Sequence, residues 1–153
     1  MRGGVRIAVD VGSARVGVAA SDPEATLAFP VGVLRRDSRA GRDVDELVSI
    51  VADRQAVEVV VGLPQTLRGR ESSSTADART YAATLAARVA PVPVRLVDER
   101  LTTVSATQQL RTAGRDTRSS RGMIDAAAAV VLLDAALDRE RHTGIPAGEQ
   151  VDP

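Results

Sequence analysis

The stretch Arg6-Ile7-Ala8-Val9-Asp10-Val11-Gly12-Ser13-Ala14-Arg15-Val16-Gly17-Val18-Ala19-Ala20-Ser21 decides the architecture. Arg6 to Val11 is an apolar run of strand length with a carboxylate near its end. Gly12 to Arg15 has turn composition, and Val16 to Ser21 reads as a second strand, so the two form a hairpin. A third extended segment fits Leu27 to Leu34. Pro30 assigns it to a sheet edge or a bulge, because Pro has no N–H for the ladder.

Beyond this hairpin-rich start the pattern changes. After a polar loop from Arg35 to Arg42, Val44, Leu47, Val48 and Val51 recur at helical spacing, which predicts a helix over Asp43–Arg54. Val57 to Leu63 is almost continuously apolar, as in a parallel strand covered on both faces. Gly62-Leu63-Pro64 reads as a tight exit from the sheet without a catalytic role. A polar loop from Pro64 to Ser74 leads to a helix over Thr75–Val89, with Tyr81, Leu85 and Val89 on one stripe and Pro91 and Pro93 ending it. Val94 to Val97 is a further buried strand. Thr102 or Thr103 can cap a short helix to Leu110, and Arg111 to Ser120 is a polar loop. Ser119 or Ser120 can cap a last helix with Ile124, Val131, Leu132 and Ala135 on its core stripe. Three strands followed by helix–strand alternation predict an α/β domain with a mixed β-sheet flanked by α-helices. The domain spans residues 1–142, and residues 143–153, with Gly144, Pro146, Gly148 and Pro153, read as a flexible C-terminal tail.

Composition narrows the chemistry. The 153 residues contain no Cys and a single His, His142, so thiolate zinc sites, disulfide frameworks and histidine-based triads lack material. Phe29 and Tyr81 are the only aromatic residues, which disfavours a protein that reads single strands by base stacking. The formal net charge is zero, so attraction to nucleic acid depends on where charge is placed. All 20 basic residues are Arg, a residue suited to bidentate phosphate contacts, although heavy Ala and Val usage points as well to a compositional bias. No signal peptide or membrane span is visible, which predicts a cytoplasmic protein.

Three carboxylate positions stand out. Asp10 ends an apolar strand, where burial is costly without a partner or a metal, and open α/β sheets hold ligands at such strand ends. The plainer reading is an Asp bonded to the following turn. Asp98-Glu99-Arg100-Leu101-Thr102-Thr103 also follows a strand directly. Its two acids should point to opposite faces, one toward a site, unless both serve the next helix with Arg100 neutralising them. Asp125, in Ile124-Asp125-Ala126-Ala127-Ala128, stands early in the last helix, where the helix dipole alone favours an acid. Taken together, two acids at strand ends and one on a helix over the sheet form an all-oxygen site suited to Mg²⁺ or Mn²⁺. Two such ions can drive phosphodiester cleavage. Arg111, Arg115, Arg118 and Arg121 precede Asp125, and Arg68 and Arg70 flank Gly69. Both loops can clasp a phosphate backbone, or can simply be solvated.

With these motifs the chain resembles the YqgF family of ribonuclease-H-like proteins, also called RuvX-type Holliday junction resolvases and pre-16S ribosomal RNA nucleases. The resemblance runs from about Ile7 to Leu137. It is carried by Asp10-Val11-Gly12-Ser13-Ala14-Arg15-Val16-Gly17-Val18-Ala19, Val61-Gly62-Leu63-Pro64, Asp98-Glu99-Arg100-Leu101-Thr102-Thr103 and Ile124-Asp125-Ala126-Ala127-Ala128, in that order. It implies a ribonuclease-H-like sheet and a metal-dependent endonuclease whose catalytic and metal-binding residues are Asp10, Glu99 and Asp125, with Asp98 the alternative to Glu99. It implies that Arg15 and Arg100 orient substrate or brace the acids. The sequence departs from relatives in carrying Arg118 and Arg121 where Lys is frequent, which keeps the charge.

The leading reading is therefore a hydrolase that processes the 5′ end of pre-16S rRNA in ribosome biogenesis, with nucleic acid and a ribosomal particle as partners. Holliday junction resolution in DNA recombination is the alternative with the same chemistry. It requires a homodimer with paired sites, and no dimer stripe is evident, which favours the RNA role; the chain is expected to be a monomer or a homodimer. A non-catalytic nucleic-acid-binding module would be marked by loss of an acid, and all three are present. Asp10-Val11-Gly12 also resembles a phosphate loop of sugar-kinase and actin-like ATPases, but those need two such domains and this chain has room for one.

Overall fold

The computed structural model describes residues 1–65, 71–101 and 117–153, with residues 101 and 117–125 described by their backbone alone. In chain order the elements are β1 (Arg6–Val11), β2 (Arg15–Ser21), β3 (Ala28–Arg35), α1 (Arg42–Asp53), β4 (Glu58–Leu63), α2 (Ser73–Val89), β5 (Val94–Asp98), a 3₁₀ turn (Glu99–Leu101), α3 (Thr117–Thr143) and β6 (Glu149–Val151). The strands form one sheet in the order β3-β2-β1-β4-β5-β6. β1, β4 and β5 are parallel, and β2, β3 and β6 pair antiparallel with their neighbours, giving the mixed sheet expected.

Period-two alternation sorts the central strands onto two faces. Ile7, Val9, Val16, Val18, Val59 and Val61 meet α1 and α2 through Leu47, Tyr81 and Leu85. Ala8, Ala19, Val60 and Val97 meet α3 through Ala129, Leu132, Leu133, Ala136 and Leu137. Each fully buried Leu in these layers contributes about 1.5–3 kcal/mol. Alanines on both α3 and the facing strands let that helix lie close to the sheet. Its core stripe is set by Ala129, Leu132, Leu133, Ala136 and Leu137, and Ala135 is only half-buried. A stripe drawn through Ala135 is one residue out of phase with the contact.

The local rules hold elsewhere. Pro30 stands opposite Ala19, where the β2–β3 register shifts, on the edge strand. Ser72 caps α2 by accepting the N–H of Thr75, whose hydroxyl accepts the N–H of Ser72 in return. The last helix departs from expectation: it begins at Thr117, so Ser119 and Ser120 lie inside it and do not cap it. The short helix expected from Thr102 or Thr103 to Leu110 lies outside the described residues.

The segment after His142 also departs from expectation. Instead of a frayed tail, Glu149–Val151 adds an antiparallel strand to β5, with Val151 opposite Val94. Arg95 donates Nε to the carbonyl of Ala147 at 2.8 Å and a terminal N–H to that of Gly148 at 2.7 Å. Gly148, at φ 78°, lies so close to β5 that a Cβ there would stand 2.8 Å from the carbonyl carbon of Leu96.

A buried ionic cluster fixes the far end of α3. Arg6, at the start of β1, is 1% exposed and donates to Glu140 at 2.9 Å. Arg2 donates to the same carboxylate at 2.6 Å and to Glu58, at the start of β4, at 3.0 Å. The C-terminal part of α3 therefore sits at the beginning of β1, and the helix runs back toward that strand's end.

Candidate active site

Asp10 lies near the end of β1, in the middle of the sheet and paired with Gly17 of β2. On the other side Val9 pairs with Val61, so the β4 residue next to Asp10 is Gly62. Neither neighbour has a side chain, which leaves a notch around the carboxylate. Asp10 follows Ala8 by two residues and so shares the α3 face of the sheet.

Glu99 enters the same notch from β5. Gly62 pairs with Val97, and Glu99 stands two residues further on, on the face of Val97. Its side chain lies directly over Gly62: a Cβ on that glycine would stand 2.8 Å from Cδ and 2.9 Å from Cγ of Glu99, and closer still to Oε1. The Glu99 carboxyl is pushed up to about 8, first by burial, then by its hydrogen bond to Asp10 and the charge of that carboxylate, with Asp98 adding to the effect. Two carboxyl groups in hydrogen-bond contact require a proton or a cation between them. An all-oxygen pair of this kind fits a hard divalent ion.

Asp98 serves elsewhere. It accepts the backbone N–H of Arg100 at 2.9 Å and Nε of the same residue at 2.8 Å. This holds its carboxyl below the usual range. Of the two adjacent acids, then, Glu99 meets Asp10, and Asp98 is occupied by Arg100, which is exposed. Asp125 lies on α3, with its side chain outside the described residues, as are those of Arg118 and Arg121. Arg68, Arg70 and Arg115 are outside the described residues altogether. Among the described residues no group of three His, Asp or Glu gathers; Asp10 and Glu99 are a pair.

Arg15 opens β2 beyond the turn from β1. That turn is closed by the N–H of Gly12 donating to the carbonyl of Arg15 at 2.8 Å. Arg36 clamps it from outside. Its backbone N–H donates to Ala14 at 2.9 Å, and its guanidinium donates to the carbonyl of Gly12 at 2.9 Å and to Asp77 of α2 at 2.7 Å. The guanidinium also lies 5.1 Å from the centre of the Tyr81 ring, whose hydroxyl donates to the buried Asp43 at 2.9 Å. Burial and Asp43 raise the Tyr81 pKa, keeping the hydroxyl protonated.

Sequence reasoning took Gly62 for a sheet exit without a catalytic role and singled out neither Gly17 nor Arg36. A glycine inside the apolar run Val59-Val60-Val61-Gly62-Leu63 was the available signal, since glycine in a strand interior marks a close approach. Arg36 has no local signal, because its partners lie in the β1–β2 turn and on α2.

A family model described as "RuvX: Holliday junction resolvase" matches residues 4–139. A Thermobifida fusca protein named "Putative pre-16S rRNA nuclease" is 51% identical, covering 99% of this chain and 98% of its own. A Frankia casuarinae protein of the same name is 54% identical, over 93% of this chain and 70% of its own. Among solved structures, Thermus thermophilus RuvC in complex with a Holliday junction substrate superposes with a TM-score of 0.62 at 13% identity, covering 96% of this chain and 99% of that one. The shared fold is that of ribonuclease-H-like proteins. Among the described residues no helix is long and apolar enough to cross a membrane.

Proposed function

The chain belongs to the RuvX family, and on that premise we propose that it is a metal-dependent endonuclease that hydrolyses phosphodiester bonds at the 5′ end of pre-16S rRNA. The observation that carries the reading is the contact of Asp10 with Glu99 over Gly62, one acid near the end of β1 and the other in the turn that leaves the parallel β5. Bound there, Mg²⁺ or Mn²⁺, as one ion or a pair, supplies the Lewis acidity that phosphodiester hydrolysis needs.

The chain's own residues do the rest. Asp10 and Glu99 hold the ion and fix where the scissile phosphate lies. Gly17 and Gly62 keep the notch open to it, and Arg36 holds the turn that carries Arg15 toward substrate. Arg100 braces Asp98, so that Glu99 alone of that pair faces the ion.

Asp125 is the third ligand in this reading. It precedes Ala129 by four residues and Leu132 by seven, the spacing of one helix face, and both of those meet the sheet. Glu140 is anchored at the start of β1, and Asp125 lies about 22 Å back along the helix, toward the end of the strand where Asp10 stands. Arg68, Arg70, Arg115, Arg118 and Arg121 are the proposed phosphate contacts of the flanking segments. The setting is the cytoplasm, with a ribosomal particle as partner and the chain acting as monomer or homodimer.

Junction resolution is the second reading, favoured by the description of the matching family and by the RuvC fold. The test compares a pre-16S 5′-leader RNA with a four-way DNA junction, in Mg²⁺ or Mn²⁺, for the wild type and Asp10→Asn. Metal-dependent cutting of the leader, abolished by the substitution and by a chelator, is expected. Symmetric cutting of the junction alone selects the second reading, and cutting of neither defeats both.

A further inference from the structure

β5 delivers Glu99, and its outer edge is closed by the segment that follows α3. Gly144, at φ 76°, ends that helix with its N–H on the carbonyl of Glu140 at 2.8 Å, and the chain turns back along the sheet. Ala147 is buried in the α3 layer with Val97 and Leu133. Val151 stands opposite Val94 and packs against the layer of α1 and α2. The segment is thus seated on both faces of the sheet, and it lies beyond the residues that the family model matches.

Its contacts converge on the stretch that leads to Glu99. Val94, Arg95 and Leu96 pair with Val151, Gln150 and Glu149. The Arg95 guanidinium holds the carbonyls of Ala147 and Gly148. Gly148 fits so closely against Leu96 that a Cβ there would also stand 2.9 Å from Cγ2 of Val97. Val97 is two residues before Glu99 and shares its face of the sheet. Arg79 of α2 donates to Glu149 at 2.9 Å and to Glu71 at 2.6 Å, which ties β6 to that helix. Without this segment β5 would be an edge strand bonded on one side only, to β4. Strand ends with few contacts open locally. A carboxyl held against another acid is driven out once its backbone gives way.

We infer that residues 144–151 are a positioning strap for Glu99: by closing the outer edge of β5 they hold the turn after Asp98 where Glu99 meets Asp10. What Glu99 does there rests on the nuclease reading, which the strap deepens. Arg95 is the positioning residue, acting through β5 and the carbonyls it grips. A metal or catalytic site must be held to within about 0.5 Å, and loss of supporting contacts lowers metal affinity or activity about 10–100-fold.

The test compares deletion of residues 145–153 and Arg95→Ala with Leu47→Ala, which destabilises the core from α1. Three quantities are measured: amide hydrogen exchange, the affinity of the metal-free protein for Mn²⁺ alone, and kcat and KM on whichever substrate the wild type cuts. In the deletion and in Arg95→Ala, exchange at residues 97–100 should rise above that at Ile7–Val9, Mn²⁺ affinity should fall about 10–100-fold, and kcat should fall with KM unchanged. Leu47→Ala should speed exchange evenly across the sheet and leave Mn²⁺ affinity near wild type. If the deletion does not fold, Arg95→Ala decides. Wild-type Mn²⁺ affinity in a folded deletion variant would overturn the inference. It would do so even if that variant self-associates through the bare edge of β5, since the segment would then be only a cover. Equal losses in Leu47→Ala, or exchange that rises evenly in all three variants, would overturn it as well. A wild type that neither binds Mn²⁺ nor cuts leader or junction sinks the nuclease reading instead, and exchange at residues 97–100 then decides whether the strap stands. Unchanged variants of a wild type that cuts do the reverse.

Discussion

Gly62→Ala tests the geometry of the acid pair more sharply than removal of either acid. β4 lies between β1 and β5 and is hydrogen-bonded on both sides, so its backbone cannot withdraw. The added Cβ would stand 2.8 Å from Cδ of Glu99, against 3.4 Å or more for ordinary contact. Glu99 must therefore move its Cδ outward by about 0.6 Å and its nearer Oε1 by more, on the order of 1 Å. The fold should tolerate this, because the group that gives way is the end of a flexible side chain; an off-rotamer adjustment costs about 0.5–1.5 kcal/mol. Catalysis should not, since a displacement of about 1 Å in a reacting group can cost on the order of 100-fold in rate. The expected result is a melting temperature within a few degrees of wild type and a kcat lower by about two orders of magnitude on whichever substrate the wild type cuts. Wild-type kcat in a folded Gly62→Ala protein would refute the reasoning, because the carboxylate would then have no need of the space it occupies.

Two further outcomes follow from charges elsewhere. Glu140→Ala leaves the buried Arg6 without its carboxylate and should destabilise the protein by about 3–5 kcal/mol in chemical denaturation, whereas an exposed pair such as Arg141–Asp138 should contribute under about 1 kcal/mol. Glu99 sets a pH dependence. With its folded pKa raised to about 8 from an ordinary 4.5, the folded protein holds a proton that the unfolded chain has lost. In the metal-free protein, stability should fall as pH rises, by about 2 kcal/mol between pH 5.5 and 7. Denaturant titrations of Glu99→Gln should lack that component of the slope, and an identical slope in the variant would refute it.

The central sheet was legible because its signals are local. The apolar runs at Ile7–Val9 and Val59–Val61 alternate onto two covered faces, and Pro30 declares its own place on an edge. β6 was not legible. Glu149-Gln150-Val151 has no periodicity of its own, and it is a strand because β5 offers an open edge and Arg95 holds the approach. The start of α3 was misjudged because Ser119 and Ser120, good caps in isolation, can also be carried inside a helix held by packing further along. At the candidate site the acids were visible as charges in apolar surroundings. What separates Glu99 from Asp98 is the parity of residues beyond the last ladder pair together with Arg100. The importance of Gly62 depends on a side chain 37 positions away in sequence.

On the role proposed for Asp125, the anchoring of α3 at Arg6 and Arg2 makes that helix a lever whose fulcrum is far from its working end. Over the ~22 Å from Glu140 to Asp125, a tilt of ~3° about the anchor carries the acid by ~1 Å, the scale on which reaction rates change about 100-fold. Substitutions near the fulcrum, at Ala136, Leu137 or Arg6, would then act as mistuned bearings. They would change turnover while leaving the ends of β1 and β5 untouched, and screens confined to the neighbourhood of the acids would not find them.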